Sequence, residues 1–212
     1  MIRNYFFDLG GVLMDLDIKG SLQRFAQLVE PHSNGNDIVP EDLLGVGENA
    51  LIQAYQVGGI STGDFIDALK RYCRPEVSES TLIEAWDSML KGIPIQRVDA
   101  LRKLHDTGGR IFILSNINEE HLRWSRKHFE EVGLRVGQEI EAAYFSNEIG
   151  MAKPDPHIYQ YAIEHSGVRP DETLYIDDMA VNIEAGAKQG LQTLCAKGDE
   201  WISTILPNGR TQ

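Results

Sequence analysis

The chain has 212 residues, of which 42% are hydrophobic, enough to build one ordinary domain or a core domain carrying a modest insertion. Its net charge of -12 argues against nucleic acid or an anionic membrane as partner, since phosphate backbones and acidic lipids are held largely by Lys and Arg. Two cysteines far apart, Cys73 and Cys195, exclude a disulfide framework and a zinc site, and Cys195, in the apolar run 191–196, is expected to be a small core residue. No stretch has a signal-peptide layout or the length of a membrane span, so the cytoplasm is the expected location.

An apolar run containing Ile2, Tyr5, Phe6 and Phe7 ends abruptly at Asp8-Leu9-Gly10-Gly11-Val12-Leu13. Short aromatic-rich runs bounded by glycines read as buried strands, and in open α/β sheets chemistry sits beyond the carboxyl ends of the strands. Asp8 therefore stands where a site would be, although Asp followed by Gly is also ordinary turn chemistry. Asp15-Leu16-Asp17 is a rival pair of carboxylates, but the run before it is too short for a sheet strand of its own. Asp17 reads better as the cap of a helix over residues 18–29.

Residues 18–90 lose strand character and turn helical. Leu22, Phe25, Ala26 and Val29 share one face, and residues 31–40 form a polar loop. Leu43, Leu44, Ala50, Leu51 and Tyr55 continue in a second helical region, with Gly45 and Gly47 making its opening irregular. Gly58-Gly59 then breaks the chain, Ser61 caps a helix over 64–73, and Ser78 or Ser80 caps one over 82–89. This is a helical insertion without a sheet.

From Pro94 onward helix and strand alternate. A helix through Val98, Leu101 and Leu104 leads to a strand over 111–114, and Asn118 caps a helix with Leu122, Trp124 and Phe129 on it. A strand over 142–145, a helix over 157–165, a strand over 173–176, a helix over 180–189 and a strand over 192–196 follow. This alternation predicts an α/β fold with a mainly parallel, doubly wound Rossmann-like sheet and a small all-helical cap. The expected division is a core of residues 1–17 and 91–206, a cap of 18–90 and a loose tail of 207–212.

Three further strand ends carry polar residues. Ser115-Asn116 offers a hydroxyl and backbone N–H groups entering a helix, which can hold a phosphate oxygen and can equally cap the helix. Lys153 stands in Gly150-Met151-Ala152-Lys153-Pro154-Asp155-Pro156, a loop stiffened by two prolines, where it can neutralise a phosphate and a neighbouring aspartate. Asp177-Asp178 closes the strand over 173–176; adjacent carboxylates repel unless a cation or donors compensate, and Mg²⁺ prefers such carboxylates with phosphate oxygens. Asn182, a turn later, can support their hydrogen bonding.

With these four pieces in order, from Asp8 to the last strand, the sequence resembles the haloacid dehalogenase superfamily, whose members are mostly Mg²⁺-dependent phosphatases. It is similar to bacterial sugar-phosphate phosphatases, including those acting on glucose 1-phosphate, and to the phosphatase half of soluble epoxide hydrolases. The resemblance implies that Asp8 is the nucleophile of an aspartyl-phosphate intermediate and that Asp8, Asp178 and the Gly10 carbonyl ligate Mg²⁺. It implies that Asp177 orients a metal-bound water, with Asn182 in support, and that Ser115, the Asn116 N–H and Lys153 clamp the phosphoryl oxygens.

One position departs from the family pattern. Two residues beyond the nucleophile most such phosphatases carry a second Asp as general acid and base, a contribution worth roughly 10²- to 10⁴-fold. Here it is Gly10. Asp15, Asp17 and Glu48 are candidates for a relocated acid. The expected function is hydrolysis of a small phosphorylated metabolite, with sugar phosphates among the candidates. The alternatives are a slow or non-catalytic phosphate-binding relative and a 2-haloacid dehalogenase that needs no metal. Expected partners are that metabolite and, as oligomeric state, monomer or homodimer.

Overall fold

The computed structural model describes residues 1–30 and 50–206. Expectations for residues 31–49, Glu48 included, and for the tail 207–212 lie outside the described residues.

Five strands form the central sheet: β1 (Asn4–Phe7), β4 (Arg110–Ser115), β5 (Ala142–Phe145), β6 (Thr173–Asp177) and β7 (Gln192–Cys195). Their spatial order is β5-β4-β1-β6-β7, and every pairing is parallel. Parallel sheets are covered on both faces, and side chains alternate between those faces along each strand. Phe6, Phe112, Leu114 and Tyr175 accordingly pack on one side with Tyr144, Ile158, Tyr159 and Ala162. Phe7, Ile111, Ile113 and Ile176 pack on the other with Val98, Leu101, Phe129 and Trp201. Phe6 and Phe7 are both fully buried, on opposite faces, which at about 1.5–3 kcal/mol each anchors β1 in the middle of the sheet.

The covering helices are α5 (Ile95–Asp106), α6 (Glu119–Val132), α8 (Pro156–Ser166) and α9 (Ala180–Lys188), with the short α7 (Ser146–Ile149) and α10 (Glu200–Ile205). The chain winds from β1 outward to β4 and β5, then returns to β6 on the other side of β1. That reversal places the topological switch point between the carboxyl ends of β1 and β6, where such sheets bind ligands.

Among the described residues, four helices between β1 and β3 (Leu90–Gly92) pack around a cluster of their own, built on Phe25, Tyr55, Phe65, Leu69, Leu82 and Trp86. They are α1 (Ile18–Ala26), α2 (Ala50–Gln56), α3 (Thr62–Lys70) and α4 (Glu79–Asp87). Ser61 caps α3 through a reciprocal capping box with Asp64, and Ser78 caps α4. Helix α1 stops at Ala26, short of the expected Val29, because the chain turns there so that Val29 can bridge to Cys73.

The expectation of a helical insertion without a sheet over residues 18–90 is corrected at its last residue, Leu90. β2 (Asp15–Leu16) pairs antiparallel with β3 (Leu90–Gly92) where the chain leaves the sheet layer and comes back. Two- and three-residue strands carry no readable period, and their partners are some 75 residues apart, so only the tertiary fold brings them into register. Cys195 is a second correction: it is exposed. It ends β7, an edge strand, and the alternation that buries Ala196 turns Cys195 outward. Among the described residues no helix is long and apolar enough to cross a membrane.

Candidate active site

The switch point brings the sequence-predicted residues together. Asp8 follows β1, its backbone N–H donating to the Ile176 carbonyl of β6 at 2.9 Å, so the first acidic group is registered directly against the strand that ends in Asp177-Asp178. The Asp8 carboxylate is buried, and its Oδ1 accepts from the Leu9 N–H at 2.7 Å. Lys153 reaches in from the loop before α8; its Nζ lies 2.9 Å from Asp8 Oδ1 and 2.7 Å from Asp177 Oδ2.

A buried ammonium between two carboxylates holds all three groups. Burial disfavours the charged form of Lys153, but Asp8 and Asp177 outweigh it and raise its pKa above the ordinary lysine value. Burial pushes Asp8 up to about 6, against the lowering pull of Lys153. Asp178 is also raised, by burial and by its neighbour Asp177.

Asp177 and Asp178 have different surroundings although adjacent in sequence. Asp177 is fully buried and saturated with donors: Lys153, the Tyr175 hydroxyl, the Met179 N–H at 2.8 Å and the Asn182 amide at 3.0 and 3.2 Å. Asp178 is half-buried, and its carboxylate lies over Gly11, where a Cβ would stand 2.5 Å from Oδ2. Gly11 has φ +82°, so both its conformation and its contact require glycine.

Ser115 ends β4, buried, its hydroxyl without a hydrogen-bond partner among the described residues. Asn116 uses its side chain in a way the sequence did not signal. Its amide donates to the Lys153 carbonyl and accepts from the Lys153 N–H, both at 2.8 Å, which fastens the lysine loop to β4. Tyr175, whose hydroxyl donates to Asp177, was missed from the sequence. Strand alternation puts residues 175 and 177 on one face, a signal that was legible in principle.

Two candidates for a relocated acid are engaged elsewhere. Asp17 caps α1 through the Gly20 N–H at 2.8 Å, as its position before the helix suggested. Asp15 forms an ion pair with Arg97 at 2.7 Å. Tyr55 is buried in the helical cluster, stacked on Phe65.

Carboxylate oxygens of Asp8, Asp177 and Asp178 lie within 4.8 Å of one another, an acidic set compensated by a single lysine. Hard oxygen donors in this number suit a divalent cation such as Mg²⁺, so the residues present fit the metal that the resemblance implies.

A family model described as haloacid dehalogenase-like hydrolase matches residues 2–190. The chain belongs to the haloacid dehalogenase-like hydrolases. This hydrolase is 28% identical over 203 residues to D-ribitol-5-phosphate phosphatase of Bacteroides thetaiotaomicron, covering 95% of each chain. A crystal structure of a family enzyme from the same organism, in complex with magnesium and inorganic phosphate, superposes with a TM-score of 0.83 at 29% identity, covering 97% of this chain and all of the other. A HAD-like hydrolase from Porphyromonas gingivalis superposes equally well, with a TM-score of 0.83 at 30% identity over the full length of both chains.

Proposed function

We propose that this hydrolase is a Mg²⁺-dependent phosphomonoesterase acting on a small phosphorylated polyol or sugar. The observation that carries the reading is Lys153 held between Asp8 and Asp177, with Asp178 alongside at the switch point. The relative that acts on D-ribitol 5-phosphate and the related structure holding magnesium and phosphate support it.

Asp8, Asp178 and the Gly10 carbonyl would hold the metal, which would supply positive charge against the phosphoryl oxygens. Asp177, saturated by its four partners, fixes Lys153 and would support the metal through a bound water instead of ligating it directly. Lys153 and the Ser115 hydroxyl, with the Asn116 N–H, receive the phosphoryl oxygens, giving the positioning and charge neutralisation that dominate phosphoryl transfer. A carboxylate oxygen of Asp8 attacks phosphorus; an Asp8 O–P bond forms as the bond from phosphorus to the leaving alkoxide breaks, and the alkoxide takes its proton from water. A second water then attacks phosphorus, its proton passing to the hydroxide left by the first; the Asp8 O–P bond breaks, releasing inorganic phosphate and restoring the Asp8 carboxylate. The helices α1–α4 act as the cap over this site.

Gly10 puts no carboxylic acid two residues beyond Asp8, and Asp15 and Asp17 are engaged elsewhere, while Glu48 lies outside the described residues. Among the described residues this favours a slow enzyme or one whose substrate has a good leaving group. Phosphate release from a panel of polyol and sugar phosphates with Mg²⁺ tests it. Release well above an Asp8→Asn control supports the proposal. Ligand-dependent thermal stabilisation without turnover would instead mark a phosphate-binding relative, and halide release from 2-haloacids unaffected by EDTA would mark a dehalogenase.

A further inference from the structure

The loop after β1 is tied at two points by groups outside it. Within the loop, the Leu9 carbonyl accepts from the N–H groups of Leu13 and Met14 at 3.0 and 2.7 Å, and the Gly11 N–H donates to Met14 at 2.9 Å. From outside, the Gly198 N–H donates to the Gly11 carbonyl at 2.8 Å, and Arg97 Nη1 donates to the Leu13 carbonyl at 3.1 Å. The Gly10 carbonyl, one residue before the first of those anchors, accepts no hydrogen bond among the described residues.

Arg97 makes both anchors one unit. It projects from the first turn of α5 with a side chain only 6% exposed, its Nη1 2.7 Å from Asp15 Oδ1 and its Nε 2.6 Å from Asp199 Oδ1. Gln96 holds the other oxygen of Asp199 at 3.2 Å. Gly198, which grips Gly11, is the neighbour of Asp199 and lies against the guanidinium: a Cβ on it would stand 2.9 Å from Arg97 Nη2. The planar fork of arginine can serve a carbonyl and two carboxylates together, which the single ammonium of lysine does less well.

We propose that Arg97, through Asp199 and Gly198, is a positioning residue for the metal: it holds the Gly10 carbonyl and the Gly11 seat of Asp178 in place from behind the loop. This rests on the phosphatase reading of the site. Supporting groups around metal ligands typically change affinity by about 10- to 100-fold when removed, and a loss of that size is expected for Mg²⁺ in Arg97→Met, with part of it recovered in Arg97→Lys. Asp199→Asn, which leaves the guanidinium in place, is expected to lose less.

The test is calorimetric titration of Mg²⁺ into the full chain, wild type and these three variants, with thermal melts alongside. At saturating Mg²⁺, KM for p-nitrophenyl phosphate stays within about twofold while the Mg²⁺ concentration for half-maximal turnover rises. A folded Arg97→Met variant that melts lower yet binds Mg²⁺ as the wild type does overturns the proposal and leaves the phosphatase reading standing. Should Arg97→Met not fold, wild-type Mg²⁺ affinity in both Arg97→Lys and Asp199→Asn overturns it equally. A wild type that binds no Mg²⁺ removes both readings.

Discussion

The ammonium of Lys153 lies 2.9 Å from the carboxylate of Asp8, and the lysine side chain is only 1% exposed. The same nitrogen holds Asp177, so one cation compensates two buried anions. Replacing it with Met leaves those anions facing each other. Breaking a buried pair in this way costs about 3–5 kcal/mol, and losing one preorganised donor at a reaction centre costs about 10²- to 10³-fold in turnover. Lys153→Met is therefore expected to melt lower and to release phosphate at that reduced rate. Wild-type turnover in the variant would remove Lys153 from the mechanism.

Gly11→Ala addresses the contact between the loop and Asp178. At φ +82° an L-residue costs roughly 1–2 kcal/mol, and the added Cβ also meets Asp178 Oδ2 at 2.5 Å. Asp178 must shift, so stability and Mg²⁺ affinity should fall together. Chemical denaturation and Mg²⁺ titration measure the two, and an unchanged Mg²⁺ affinity would place Asp178 outside the metal site.

Gly10→Asp should have the opposite effect on catalysis. Gly10 does not have positive φ, and the nearest atom to an added Cβ is Leu16 Cδ1 at 3.0 Å, the end of a flexible side chain that is 37% exposed and can turn aside. An aspartate there would supply the acid that neither Asp15 nor Asp17 provides. General acid-base catalysis is worth roughly 10²- to 10⁴-fold, and turnover on substrates with poor leaving groups is expected to rise toward that range. A rise no greater on alkyl phosphates than on aryl phosphates would show that the new carboxylate does not protonate the leaving group.

The seam between α4 and α6 has its own pH dependence. Burial, and then the charge of Glu120, raise Asp87 to about 7. His121 Nε2 lies 4.0 Å from Asp87, but burial pushes that imidazole down to about 4, so at neutral pH it carries no charge to offset the acids. Arg123 is paired with Glu120. The folded-state pKa of Asp87 lies above its unfolded value of 3.8, so the folded state binds more protons between about pH 4 and 7. This group's contribution to stability is thus greatest at low pH and declines as pH rises through about 7. Asp87→Asn should flatten the decline and raise the melting temperature above neutral pH. Parallel profiles of melting temperature against pH for the two proteins would sink this assignment.

Much of the sheet was legible because its signals are local. The β5 bounds agree with the sequence expectation to the residue, and those of β4, β6 and β7 to within one, since apolar runs closed by Gly, Ser or Asp read without reference to the rest of the chain. Asp8, Ser115, Lys153 and Asp177-Asp178 were visible because each ends such a run or stands in a loop beside one. The β2 and β3 pair, the Asn116 clasp and the Arg97 anchor were not, because each joins residues tens of positions apart and none has a period.

The sequence by itself determined which groups could do chemistry: an acid after β1, a hydroxyl at the end of β4, a lysine in a stiff loop, two acids at the end of β6, and a glycine where the family resemblance implies an acid. Only the tertiary structure decided what each adjacent pair does. Asp177 and Asp178 are equivalent as letters, yet strand alternation turns Asp177 inward to Lys153, Tyr175 and Asn182 and leaves Asp178 half-buried over Gly11. Side-chain direction and burial, which a pair of identical residues cannot encode locally, separate the anchor from the candidate metal ligand.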